Sequence, residues 1–445
     1  MEFSRLEGRG AMARSTLWLL LEQLALKVPA LLAVLLLAPV LGPERYGVFA
    51  YALALLSFAL ALSHLGLEGL AVRELRSAPD PGPVLGTVLA LKGLAGLGAA
   101  AFLLILAPFH DRPVATLLPL LALAALAFPL GEAMISFFRA QERPQAPALA
   151  QALGQSLGLG LKVWALLTGL GLAALALAHS VGILLVLALL ALALFRAPGR
   201  GRLRVEGARA KALLAEGVWI YLGSLLALIY LRVDVAMLTW LAGPEETGRY
   251  SVAASLSEAA YFLPVILLAR RFPGLVDAAA AGAGAYDAAR RRVFEELSAL
   301  AFFCLLFVMP LGAVFIELWL DEAYAGTSGL FAGHLLALPF IFLRQGFSRH
   351  LVLAKLARYS LLTQGVGALV NVGLNLLLIP RFGAQGAVLA TVLAYGSAGL
   401  LAPLAFPATR PVGREMLVAL ATPHRGVRRW WRAFRAPTPQ AGEKE

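Results

Sequence analysis

The sequence predicts an all-α polytopic membrane protein of about twelve helical spans arranged as two related six-helix halves, and three observations carry that expectation. Hydrophobic residues make up 60% of the 445 and charged residues 14%, with a mean hydropathy of +0.80, so a water-soluble globule would lack polar surface. Lys and Arg alternate from loop to loop in the manner of the positive-inside rule. Two stretches of the first half recur in the second.

A hydrocarbon layer about 30 Å thick takes about 20 helical residues to cross. Apolar runs of that order lie at 17–41, 46–67, 84–109, 114–137, 148–169, 172–195, 214–242, 250–269, 297–320, 329–354, 359–379 and 384–406. Short alternating strands of the barrel type are absent. The first run exceeds the roughly 7–15 apolar residues of a signal peptide and ends in Gly-Pro-Glu-Arg-Tyr-Gly, so it reads as a retained span, with Met1 or Met12 as the start. Pro29 is expected to kink it.

Twelve spans place both termini on one side. The loops and termini of that side carry 28 Lys and Arg against four on the other, Arg45, Arg112, Arg249 and Arg381. Both termini are therefore expected in the cytoplasm, and the membrane is expected to be the inner one. The net charge of +12 does not imply nucleic acid, because the bases sit between apolar runs rather than on one face. The single cysteine, Cys304, lies in an apolar run and leaves no disulfide or Cys-rich metal site.

Gly42-Pro43-Glu44 with Gly47, Phe49 and Ala52 pairs with Gly243-Pro244-Glu245 with Gly248, Tyr250 and Ala253; Gln155, Gly158 and Lys162 pair with Gln364, Gly367 and Asn371. Both matches relate elements six spans apart, the pattern of a duplicated bundle. The expected organisation is a cytoplasmic segment 1–16, an N-terminal lobe 17–195, a helical cytoplasmic linker 196–213 with six bases, a C-terminal lobe 214–406, and a basic tail 407–445. In that tail Trp430, Trp431 and the arginines around them have the composition of a membrane-surface segment.

Ionisable groups deep in a span usually face a cavity or a partner. Setting aside those near the span ends leaves Lys27, Lys92, Lys162, Arg232 and Arg344 against Asp234 and Glu258. Internal pairing does not neutralise such a set, and a cavity built from it favours an anionic group such as pyrophosphate. Lys92 and Lys162 have snorkelling as their plain alternative. Residues four or seven apart share a helix face, so Gln23 with Lys27, and Gln151 with Gln155 and Lys162, form polar stripes. Asn371 and Asn375 repeat the pattern in span eleven. Such stripes suit a sugar-accepting cavity and serve equally as interhelical glue. Arg232 and Asp234 are about 200° apart on a helix and are not expected to pair. Asp234 and Glu258 are the candidates for ion coupling. No Walker loop, dinucleotide fingerprint or metal-spaced His pair is present, so neither an ATP-driven pump nor any cofactor is expected.

At GPERYGVFAYA (42–52), RVDVAMLTWLAGPEETGRYSVAASLSE (232–258) and NVGLNLLLIPRFGAQGAVLAT (371–391), the chain resembles the polysaccharide biosynthesis flippases of the multidrug, oligosaccharidyl-lipid and polysaccharide exporter superfamily. The resemblance implies two six-helix lobes rocking about a central cationic cavity. It also implies a non-enzymatic cargo step, in which undecaprenyl-pyrophosphate-linked oligosaccharide moves to the periplasmic leaflet for O-antigen, lipopolysaccharide or exopolysaccharide synthesis. Partners would be that lipid-linked substrate, membrane lipids and other polysaccharide-assembly proteins, with a monomeric carrier. Alternatives are a cation-coupled multidrug exporter, which should hold more deep acids than bases, and a lipid II flippase, which usually has two further spans. A membrane polymerase or ligase would need a sizeable outer loop, and all outer loops here are short.

Overall fold

The computed structural model describes the backbone of residues 2–435, and among these it contains α-helices, short tight turns of helix and no strand. The helices are α1 (Glu2–Ser63), α2 (Glu68–Ser77), α3 (Gly82–Leu106), α4 (Arg112–Ala140), α5 (Gln145–Leu167), α6 (Gly171–Arg196), α7 (Gly207–Ala242), α8 (Pro244–Glu258) and α9 (Leu263–Ala281). They continue as α10 (Ala283–Phe303), α11 (Met309–Trp319), α12 (Thr327–Leu335), α13 (Leu338–Leu353), α14 (Ala357–Gly396), α15 (Ala402–Ala405), α16 (Arg410–Ala421) and α17 (Pro423–Arg435). Residues 436–445 of the expected tail, and Met1, lie outside the described residues.

Nine apolar segments among the described residues are long enough to cross a bilayer. Two of them, Leu21–Ser77 and Ala357–Ala405, run for 57 and 49 residues, and each holds two crossings of about 20 residues. The first is broken at Gly42 (φ 72°, ψ 165°) and the second at Gly383 (φ 54°, ψ −133°). With α5, of 23 residues, the total is the twelve spans expected. Pro29 lies inside α1, whose non-helical dihedrals are those of Gly42.

The chain divides into two compact units, Met1–Ser251 and Val252–Glu445. The segment 196–213, expected to be a helical linker, lies inside the first unit and is not helical between 197 and 206. Its backbone lies against α3, close enough that a Cβ on Gly82 or Gly86 would overlap the carbonyl oxygens of Arg202 or Arg204. The amide of Glu206 donates to Thr87 Oγ1 at 3.0 Å. That bond satisfies one backbone donor that a helix would otherwise satisfy internally.

Within the first unit α3, α4 and α6 enclose a core that includes Leu67, Leu85, Phe137 and Leu190. There is little hydrophobic drive between helices in lipid, so close approach comes from small residues. Gly158 of α5 lies against Gly182 of α6. Gly367, its repeat counterpart in the second unit, lies against Ala398, so both members of that repeat stand where one span meets the next.

The other repeat is visible in backbone conformation. Gly42 and Gly243 both hold positive φ with extended ψ, at 72°/165° and 91°/173°, a region in which only glycine is comfortable. Each ends one span and starts the next.

Candidate functional site

The first unit contains a cavity of about 210 Å3 between α1, α2, α4, α5 and α6. Its polar lining is Glu22, Gln23, Glu68, Glu132, Arg139, Gln151 and Gln155. Gln23 and Gln155, expected as cavity lining, both reach it. Their stripes converge because α1 and α5 pack side by side, turning Glu22 and Gln23 of one toward Gln151 and Gln155 of the other.

Arg139, at the end of α4, organises the cavity. It donates through Nη2 to Glu22 Oε1 at 2.9 Å and through Nη1 to Glu68 Oε1 at 2.5 Å. Glu22 is only 2% exposed, and a carboxylate that deep needs such a partner. The pairing is incomplete. Glu22 Oε2, Arg139 Nε and Gln151 Oε1 are buried with no hydrogen-bond partner, although buried polar atoms are ordinarily satisfied. Glu22, Arg139 and Gln151 all line the cavity, but these three atoms have no accessible surface and lie within its wall.

The expected basic residues separate into different roles. Lys92, 2% exposed, donates to Glu132 Oε2 at 2.8 Å and to the carbonyls of Ser63 and His64 at 3.2 and 3.0 Å. Its charge is neutralised where it stands, and Glu132 also lies 3.4 Å from His64 Nδ1. Lys162 does not line this cavity: it turns from the stripe to meet His179 Nδ1 of α6 at 3.3 Å. Lys27 is exposed and lies one turn along α1 from Gln23. Arg344, 7% exposed, donates to Thr363 Oγ1 at 3.1 Å and to the Ala398 carbonyl at 3.5 Å. Arg232 is half-buried.

Five deep bases against two deep acids is therefore an incomplete balance. Glu22 and Glu132 also lie inside apolar runs, a few residues from the ends of 17–41 and 114–137, and both face the cavity. Both stand close to a run end, and Arg139 stands just past the end of 114–137, so none of the three belongs to the deep set. The available signal was an acid within one turn of a stripe residue, as Glu22 is beside Gln23.

Of the expected coupling residues, Asp234 is 3% exposed; its Oδ2 accepts a short hydrogen bond from Tyr250, and its Oδ1 accepts from the Val235 amide at 2.8 Å. Glu258 is half-buried. Asn371 and Asn375 are fully buried in the second unit and bond to each other at 3.1 Å, leaving Asn371 Nδ2 and Asn375 Oδ1 without partners. The four expected lining residues thus fall in two places, Gln23 and Gln155 in one unit and Asn371 and Asn375 in the other.

Known folds and families agree with this architecture. The chain matches the polysaccharide biosynthesis protein family over residues 12–270, and no curated protein sequence matches it. Among solved structures it is similar to the lipid II flippase MurJ in its inward closed conformation, at 13% identity and a TM-score of 0.74, over 95% of this chain and 94% of that one. It is also similar to an inward-facing multidrug resistance MATE transporter of the MOP superfamily, at 14% identity and a TM-score of 0.65, over 92% and 96%. A MOP-superfamily transporter from Pyrococcus furiosus, described as having a binding pocket of reverse polarity, aligns at 15% identity and 0.59, over 92% and 96%. The family match spans more than half of the chain and the helices reproduce the superfamily's twelve-helix fold, so this multi-pass membrane protein belongs to the polysaccharide biosynthesis protein family.

Proposed function

We propose that the protein is a flippase that carries an undecaprenyl-pyrophosphate-linked oligosaccharide from the cytoplasmic to the periplasmic leaflet by alternating access, for O-antigen or exopolysaccharide synthesis. The observation that carries this reading is the polar cavity of the first unit. Its carboxylates disfavour an anion, and Arg139, bonded to Glu22, disfavours a cation. Three amide side chains on its wall, Gln23, Gln151 and Gln155, complement hydroxyl groups, because both kinds of group give and accept hydrogen bonds. A volume of about 210 Å3 is below the roughly 300–1,000 Å3 of drug-sized pockets and suits a single sugar ring.

In this reading the sugar and the charged headgroup are held apart. Gln23, Gln151 and Gln155 with Arg139 meet the sugar, while Lys27, Arg232 and Arg344 meet the pyrophosphate, and the lipid tail stays in the bilayer. The cavity lies toward the span ends that carry most of the Lys and Arg, so it would load from the cytoplasm. Alternating access would come from movement of the lobes 17–195 and 214–406, with Asp234 and Glu258 as sites of ion coupling. The likeness to MurJ supports a second reading, in which lipid II is the cargo; it too joins a polyprenyl pyrophosphate to sugar.

The test is translocation in proteoliposomes, supplied separately with lipid-linked oligosaccharide and with lipid II, for Lys27→Ala, Arg232→Ala, Arg344→Ala, Gln23→Leu and Gln155→Leu. Loss of translocation with normal expression is expected. Unchanged transport of both lipids in all five variants overturns the proposal, and transport of lipid II alone selects the second reading.

A further inference from the structure

The C-terminal helix α17 carries more than the basic residues that the positive-inside rule requires. Its sequence, Pro-His-Arg-Gly-Val-Arg-Arg-Trp-Trp-Arg-Ala-Phe-Arg, divides into two faces. One is fastened to α10: Arg429 Nε donates to Glu295 Oε2 at 2.8 Å, Arg425 Nη1 lies 3.8 Å from Glu295 Oε1, and Gly426 is pressed against the Glu295 carbonyl and the Ala299 side chain. Among the described residues nothing covers the other face. Val427 and Trp431 remain 52% and 56% exposed, and Arg428, Arg432 and Arg435 are exposed beside them.

At about 100° per residue, Val427 and Trp431 form one edge of that open face and Arg435, Arg428 and Arg432 follow around it. Neither Arg428 nor Arg432 pairs with a carboxylate among the described residues. The Arg435 guanidinium lies 4.5 Å over the Trp431 ring, which joins the two edges. An apolar edge beside a row of unpaired guanidinium groups is the composition of a helix that lies in the headgroup layer.

Depth supports the same occupant. Glu295, which anchors the helix, stands two residues before the apolar run that begins at 297, so α17 is held at the level where α10 enters the hydrocarbon. Tryptophan favours that level because its ring is both apolar and a hydrogen-bond donor. Guanidinium groups bind phosphate oxygens in pairs. A positive-inside tail alone would account for the arginines but not for two large apolar side chains kept facing outward.

We infer that α17 is an interfacial helix whose open face docks onto the headgroups of anionic phospholipids, with Val427 and Trp431 in the acyl boundary and Arg428, Arg432 and Arg435 on the phosphates. The single native cysteine, Cys304, is fully buried, which leaves Val427→Cys or Trp431→Cys as the reactive position in the full-length protein. Either variant carries an environment-sensitive fluorophore and is placed in nanodiscs of pure phosphatidylcholine, or of equal parts phosphatidylcholine and phosphatidylglycerol.

The expected result is a blue-shifted emission, quenched by brominated acyl chains, in the anionic discs. The shift should shrink in the neutral discs, in molar salt, and when Arg428 and Arg432 are replaced by Gln. The same emission in both discs, unaffected by salt and by the two Gln substitutions, overturns the inference. So does a label that stays water-exposed at both positions in anionic discs, or one that becomes buried only when a second protein is added.

Discussion

Gly47 and Gly248 stand in reciprocal positions within the first unit: a Cβ on Gly47 would overlap the carbonyl oxygen of Pro244, and a Cβ on Gly248 would overlap that of Pro43. Pro43 and Gly47 are the repeat counterparts of Pro244 and Gly248. A contact of one residue with the counterpart of its partner, made twice, marks a local two-fold relation, and the two span-to-span turns meet across it.

Gly47→Ala and Gly248→Ala are each expected to cost about 1–3 kcal/mol, the usual range for overpacking, because the obstacle is backbone and no rotamer relieves it. The double variant is expected to cost less than the sum, since separating the two turns relieves both overlaps and coupled neighbours are non-additive. Thermal unfolding of the purified single and double variants measures this. Additive losses would mean that the two approaches are independent.

Lys92 and Glu132 make a second coupled pair, with a different sign pattern. Removing one partner leaves an uncompensated buried charge, which costs about 3–5 kcal/mol, whereas replacing both by apolar residues is often neutral. Lys92→Met is therefore expected to lower expression and thermal stability sharply, and Lys92→Met with Glu132→Met to restore most of both. If the double variant regains stability but not transport, Lys92 also serves the substrate.

These pairings show which features could be read from sequence. Span number was legible because hydropathy and loop charge are properties of position along the chain. The repeat was legible because Gly42 and Gly243 answer the same backbone demand. Side-chain partnership depends on how each helix is rotated against its neighbours, which one sequence does not encode locally. The stripes of Gln23 with Lys27 and of Gln151 with Gln155 were legible because polar residues one turn apart leave a periodic trace. Glu132 was not, because its partner Lys92 lies 40 residues away on another helix. The Arg139–Glu22 pair joins a residue near a span end to one near a span start, where charged residues are common and a single one carries no signal.

Lys27 and Arg344, proposed for the same headgroup, are expected to differ in stability. Lys27 is exposed, so Lys27→Ala should lie within about 0.5 kcal/mol of the unmodified protein, as surface substitutions do. Arg344 is 7% exposed and bonds to Thr363 and Ala398, so Arg344→Ala removes a buried donor from the Thr363 hydroxyl, at about 1–3 kcal/mol in all. Differential scanning fluorimetry of both variants separates the cases. A large loss for Lys27→Ala would indicate a structural contact and weaken its assignment to the headgroup.

Gln151 offers the sharpest separation of stability from function. Its Oε1 is buried without a partner, and an unsatisfied buried acceptor costs about 1–3 kcal/mol. Gln151→Leu removes that acceptor while keeping most of the side-chain volume, so thermal stability is expected to hold or rise. If the Gln151 amide meets a sugar hydroxyl, the same variant should lose translocation, by on the order of ten-fold for a bond of about 1.4 kcal/mol. Two measurements on one purified variant therefore decide the role of the cavity. Stability kept with transport lost assigns Gln151 to the substrate, whereas stability lost with transport kept makes the amide part of the helix packing. Glu22→Gln serves as the contrast: it weakens the bond from Arg139, so both readouts should fall together.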